Sequence, residues 1–206
     1  MTSFLGFDYI TPLSVASNQP ELVTDTLSLR RVVGRTEAQR WECQITLQPD
    51  AFGSAGLVNS VQVHREVNGG HTAFTLPIPQ PLNTAAVATT EIRASAARLA
   101  GNSAIVIDST APFSIPAGLF VTIAGGSKVY RVTTDVNFTP ANLAAGESVT
   151  LNVFPAITRD VADNALVTVD NVLLTGRHNN NTGGLVSYTL AEGVVDRITL
   201  SIVEAL

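Results

Sequence analysis

This sequence predicts a mainly β protein with one modest helix, built as two domains with the second inserted in the first. Three observations carry that reading. Apolar residues alternate with period two over Leu27–Val33, Trp41–Leu47 and Ile198–Ile202, as they do on strands with one buried face. Val and Thr, stiff at χ1 and suited to a pleated surface, are abundant, and 15 Gly and 10 Pro supply turns. Short apolar runs separated by turn residues fill the middle of the chain, the texture of a small barrel or sandwich.

The 206 residues are 45% hydrophobic and only 14% charged, the opposite of a disordered chain. Residues 1–19 carry aromatic and Pro punctuation without periodicity and read as an extended arm. Asp25–Val33 sets Leu27 and Leu29 on one face, with Thr26, Ser28 and Arg30 on the other. Ala38–Leu47 sets Trp41, Cys43, Ile45 and Leu47 on one face, and the two strands read as a hairpin across Gly34–Glu37. Asp50 caps a helix to about Val67, with Phe52, Val58, Val61 and Arg65 near one stripe, although Gly53 and Gly56 weaken it. Asn68-Gly69-Gly70 ends that helix. A strand at His71–Leu76 follows, and Pro77, Pro79 and Pro81 then break regular pairing and mark a domain boundary.

Residues 84–100 show little pattern. Short strands are expected at Ala104–Ile107, Leu119–Ala124, Lys128–Thr133, Ser148–Phe154 and Leu166–Val169, with Gly125-Gly126 as a hairpin turn. His178–Gly184 is a polar loop and a second boundary. Two alternating strands, Gly184–Leu190 and Val194–Val203, follow it with a turn at Gly193. No internal repeat occurs at periods of 20–50 residues, the range of solenoids and propellers.

Charge and motifs exclude more than they assign. The formal charge is -5, and all but one of the 12 basic residues are Arg, the exception being Lys128. No basic run exceeds Arg30-Arg31, so nucleic acid is not an expected partner. The single cysteine, Cys43, rules out an internal disulfide and reads as a small buried hydrophobe. MTSFLGFDYITPLSV lacks the n-region and h-region of a Sec signal, and no apolar run is long enough for a membrane helix. Synthesis and folding in a reducing cytoplasm are expected, with no membrane partner. His64, His71 and His178 have no metal-ligand spacing. Ala124–Lys128, AGGSK, superficially resembles a phosphate loop but lies between strands, so it reads as a hairpin tip. No GxSxG elbow is present, and Asp160 and Asp163 lack the Gly and Glu of an EF-hand. The sequons at Asn137 and Asn180 carry no meaning without a signal peptide. No catalytic, cofactor-binding or metal-binding residue is assigned, no cofactor is expected, and an enzyme is not predicted.

Several segments resemble a family of tailed-bacteriophage tail-tip or baseplate structural proteins, of the distal-tail or tube-to-baseplate adaptor kind. The first block is TLSLRRVVGRTEAQRWECQITLQP, Thr26–Pro49, with Arg40-Trp41-Glu42 at its heart. A Phe-x-x-Pro strand follows at Phe74-Thr75-Leu76-Pro77. AGLFVTIAGGSKVYRVTTDV, Ala117–Val136, is similar to a middle block of the family, and LNVFPAIT, Leu151–Thr158, to a later strand. The ending Val203-Glu204-Ala205-Leu206 also fits. The likeness spans nearly the whole chain, but the family's helix is longer and better patterned, and Leu119 stands after Gly118 where the family has an acid.

The resemblance implies a tube-like β-sandwich with a flanking helix and a second small β-barrel or sandwich domain inserted. On that pattern residues 1–19 are an arm, 20–83 plus 176–206 the sandwich and 84–175 the insert. It further implies a ring, expected to be hexameric, around the tail axis of the virion, joining the tail tube to baseplate or hub proteins. The arm would dock on a neighbouring subunit or tail protein. A low Lys content suits a surface covered by neighbours. The competing reading is a carbohydrate-binding host-recognition module, poorly supplied by one Trp and three Tyr. A cell-wall hydrolase has only unassigned carboxylates in its favour.

Overall fold

A computed structural model describes residues 3–4, 7–19, 21–25, 31–35, 39–47, 73–80, 91–179, 187–191 and 194–205, and the structural statements below concern those residues. The protein is mainly β, with one short helix among them. By their contacts the described residues form two compact units, Met1–Phe74 with Gly176–Ala205, and Thr75–Thr175.

The strands of the first unit's N-terminal part are β1 (Ser3–Phe4), β2 (Phe7–Asn18), β3 (Glu21–Asp25), β4 (Arg31–Arg35) and β5 (Arg40–Leu47), and β6 (Phe74–Pro77) runs across the boundary into the second unit. Within Thr75–Thr175 lie β7 (Ile92–Ala94), β8 (Ala104–Ser109), β9 (Phe113–Ile115), β10 (Phe120–Ile123), β11 (Val129–Val132) and β12 (Val136–Phe138). Helix α1 (Pro140–Ala145), β13 (Val149–Phe154) and β14 (Leu166–Thr168) follow. β15 (Leu173–His178) leads back to β16 (Ser187–Ala191) and β17 (Val194–Glu204).

The large sheet has the order β1-β2-β5-β17-β15-β6, with β16 also paired to β17. β5 is central because its alternation gives it a face that must be covered: Trp41, Cys43 and Ile45 are 3%, 4% and 1% exposed. On one side it pairs with β17, from Ile198↔Leu47 to Val203↔Glu42, and Leu200 and Ile202 are buried as well. β17 pairs otherwise with β16 and with residues 176–178 of β15, so it belongs to the first unit's sheet.

Two sequence expectations are corrected here. Within the extended arm expected at residues 1–19, β2 pairs with β5 of the same chain, from Tyr9↔Leu47 to Asn18↔Arg40. The pairing shifts register between Ile10 and Ser14, across Pro12, which has no N–H to give. That interruption hides the strand from a period-two reading. The expected hairpin of Asp25–Val33 with Ala38–Leu47 is also replaced. β3 pairs with β4, from Glu21↔Arg35 to Asp25↔Arg31, while both edges of β5 are taken by β2 and β17. Alternation identifies a buried face but not the neighbouring strand. The helix expected between Asp50 and Val67 lies outside the described residues.

The second unit begins at Thr75, ahead of the expected start at residue 84. The prolines interrupt sheet pairing without releasing the segment. Leu76 and Ile78 are buried, and the Ile78 N–H donates to the Val172 carbonyl at 2.9 Å. Gln80 donates to the carbonyls of Phe120 and Val169 and accepts the Phe120 N–H at 2.6 Å. Six strands close into a barrel, β10-β11-β13-β8-β7-β14. Ile105, Ile107, Val121, Leu151 and Val132 fill it, each at most 1% exposed. The β9–β12 pair adds Phe113 and Phe138, opposite each other and stacked at 5.4 Å between ring centroids.

Helix α1 is local in origin. Thr139 caps it by accepting the Asn142 N–H at 3.3 Å, and the Asn142 side chain accepts the Thr139 N–H in return. Pro140 suits the first turn, and Gly146 at φ 64 ends the helix.

Candidate functional site

The β10–β11 hairpin carries the AGGSK sequence between Phe120–Ile123 and Val129–Val132, paired from Phe120↔Arg131 to Thr122↔Val129. The hairpin reading of this stretch holds, with the turn one residue earlier than Gly125-Gly126. Ala124 at φ 57 and Gly125 at φ 64 are its central residues, and the Gly126 N–H closes on the Ile123 carbonyl at 3.1 Å. Two consecutive left-handed residues match the right-handed twist of the flanking strands. Ser127 and Lys128 must then fit between this tight turn and the first paired residue, Val129.

The lysine does not project into water from the tip. Lys128 is 5% exposed and Tyr130, two residues on, is 4% exposed. Strand periodicity carries Lys128, Tyr130 and Val132 on one face, with Arg131 exposed opposite. Lys128 and Tyr130, together with the hairpin tip and the connection after β13, line a pocket of about 220 Å³. Its apolar wall includes Ile123, Ile157 and Val161. Its polar wall includes Ser127, Thr158, Arg159 and Asp160. Tyr130 holds the two sides together: its hydroxyl lies 3.1 Å from Thr158 Oγ1 and accepts the Thr158 N–H at 3.2 Å. The Gly101 N–H to Ile157 carbonyl bond at 2.7 Å and the Ala100 N–H to Asp160 Oδ1 bond at 2.9 Å fix the 157–160 connection further.

The other chemistry-bearing residues do not converge on it. Cys43 is buried in the first unit, where loss of hydration pushes its thiol up to about 12, so it is inert at neutral pH. His178 is buried on β15, while His64 and His71 lie outside the described residues. Asp160 and Asp163 are exposed, and no group of three or more His, Cys, Asp or Glu suited to a metal occurs among the described residues. Asn137 accepts a hydrogen bond from Ser114 Oγ at 2.6 Å in an exposed strand pair, and Asn180 lies outside the described residues. Reading the motif only as a turn missed the pocket. The available signal was KVYRV, in which period two pairs the chain's sole lysine with a tyrosine and a valine on one face.

No protein-family model matches this chain, and no curated protein matches it either.

Proposed function

We propose that this chain is a structural subunit of a bacteriophage tail, forming a ring at the tail tip or baseplate that joins the tail tube to baseplate or hub proteins. The observation that carries the reading is a β-sheet unit interrupted at one point by a closed β-barrel unit. That organisation is the one implied by the ordered likeness of Arg40-Trp41-Glu42, Phe74–Pro77, Ala117–Val136 and Leu151–Thr158. In the fold these segments fall on β5, on β6, on the β10–β11 hairpin with β12, and on β13 with its following connection. The protein works by assembly rather than by chemistry, with copies of itself and neighbouring tail proteins as partners.

Among the residues whose side chains are described, Trp41 and Tyr130 are both buried and so not placed for stacking on a sugar. The test is genetic and compositional. Particles produced by the phage encoding this chain should contain it by mass spectrometry, and a disrupted gene should yield heads without functional tails, rescued by supplying the chain in trans. Infectious particles of normal shape that lack the chain would overturn the proposal.

A further inference from the structure

We propose that the pocket between the β10–β11 hairpin tip and residues 157–161 binds a small organic anion, a carboxylate or phosphate ester of about monosaccharide size. The proposal goes beyond the tail assignment and does not depend on it.

Charge is the first argument. A chain of formal charge -5 places its sole lysine and Arg159 in one pocket, against a single carboxylate, Asp160, among the described residues. One oxygen of that carboxylate already accepts the Ala100 N–H. A lysine at 5% exposure, like Lys128, stands only where it is paired, because leaving water is costly for an ammonium. Its three N–H donors allow it to hold a partner within the fold and a ligand oxygen together. Arg159 is exposed and supplies a planar guanidinium suited to a carboxylate or phosphate.

Size and lining narrow the ligand. A volume of about 220 Å³ exceeds the engineered cavity of roughly 150 Å³ that holds benzene. Hydroxyls of Ser127, Tyr130 and Thr158 stand beside the apolar wall, so a ligand with hydroxyl groups and a small carbon skeleton fits better than a bare inorganic ion. The Tyr130–Thr158 bonds join two residues of the lining and hold the pocket's two sides in place, which lowers the ordering cost of binding.

The single lysine makes the test direct. In the full chain labelled with 13C-lysine, the side-chain εCH2 group gives one resonance, that of Lys128. Titration with glycerol 1-phosphate and with glucuronate should move it saturably for at least one probe, and the tighter probe assigns phosphate or carboxylate. Glucose and sodium chloride at equal concentration should not move it saturably. Arg159→Gln, at an exposed position, should keep the melting temperature and weaken the tighter probe at least about fivefold. Absence of saturation by either anion up to about 10 mM, equal binding of glucose, or unchanged affinity in Arg159→Gln would each overturn the proposal.

Discussion

Trp41 and Cys43 stand two residues apart on β5 and face the same interior, so each reports on that face in its own way. Truncating Trp41 to Ala removes a large side chain that is 3% exposed, which should cost about 3–5 kcal/mol. A fall in the melting temperature of the first unit by circular dichroism checks it, and an unchanged melt would contradict the buried assignment. Cys43 links burial to pH. Its thiol rises from 9.0 to about 12 in the fold through desolvation, so the unfolded chain loses its proton first. The contribution of the neutral thiol is complete below pH 9 and is lost as pH climbs from there toward 12. Cys43→Ala should therefore show a shallower loss of stability over that window than the native chain, measured by denaturant melts. The alternation of RWECQITL revealed these two residues in the sequence. It did not reveal Glu204, whose burial at 1% depends on a carboxylate oxygen accepting the Trp41 N–H at 3.2 Å, 163 residues away in sequence. Glu204→Ala should destabilise by about 1–3 kcal/mol, while Glu204→Gln retains an acceptor and should lose less.

β8, β10, β11, β13 and β14 each overlap an expected strand. β7, β9 and β12 were missed: they have three residues apiece, and so has β14, which was legible only within the longer apolar run Leu166–Val169. Partner choice was the harder problem: β3 and β4 pair with each other because the two edges of β5 are occupied, and nothing in their own residues encodes that. β15 was missed for a different reason. Its alternation, buried at Leu174, Gly176 and His178, runs through a glycine and a histidine rather than through branched apolar residues. Gly176 is there for space, since a Cβ at that position would stand 2.4 Å from Ile202 Cγ2 on neighbouring β17. Gly176→Ala should thus cost about 1–3 kcal/mol by overpacking. Hydrogen exchange on residues 176–178 and 202–204 should accelerate, and protection equal to the native chain would show that the two strands can separate without cost.

At the scale of the molecule, the change in texture after Pro77, Pro79 and Pro81 drew the expected boundary at residue 84. By their contacts the described residues divide at Thr75, because proline ends sheet pairing but does not end packing, and Leu76, Ile78 and Gln80 fall in the second unit. That unit has its own core, from Ile92 to Val169, shared between a closed barrel and the β9–β12 pair. Residues 75–175 produced alone should therefore unfold cooperatively, and a polypeptide without a melting transition would show that the barrel requires the first unit. The ring assignment rests on sequence blocks joined to this organisation, with β2 now a strand of the chain's own sheet rather than an arm reserved for a neighbour. Cryo-electron microscopy of the tailed particle encoding this chain tests the claim most directly. A hexameric ring of this chain around the tail axis, between the tube and the structures below it, is the expected result; density for the chain away from the axis, as a fibre or decoration subunit, would contradict it.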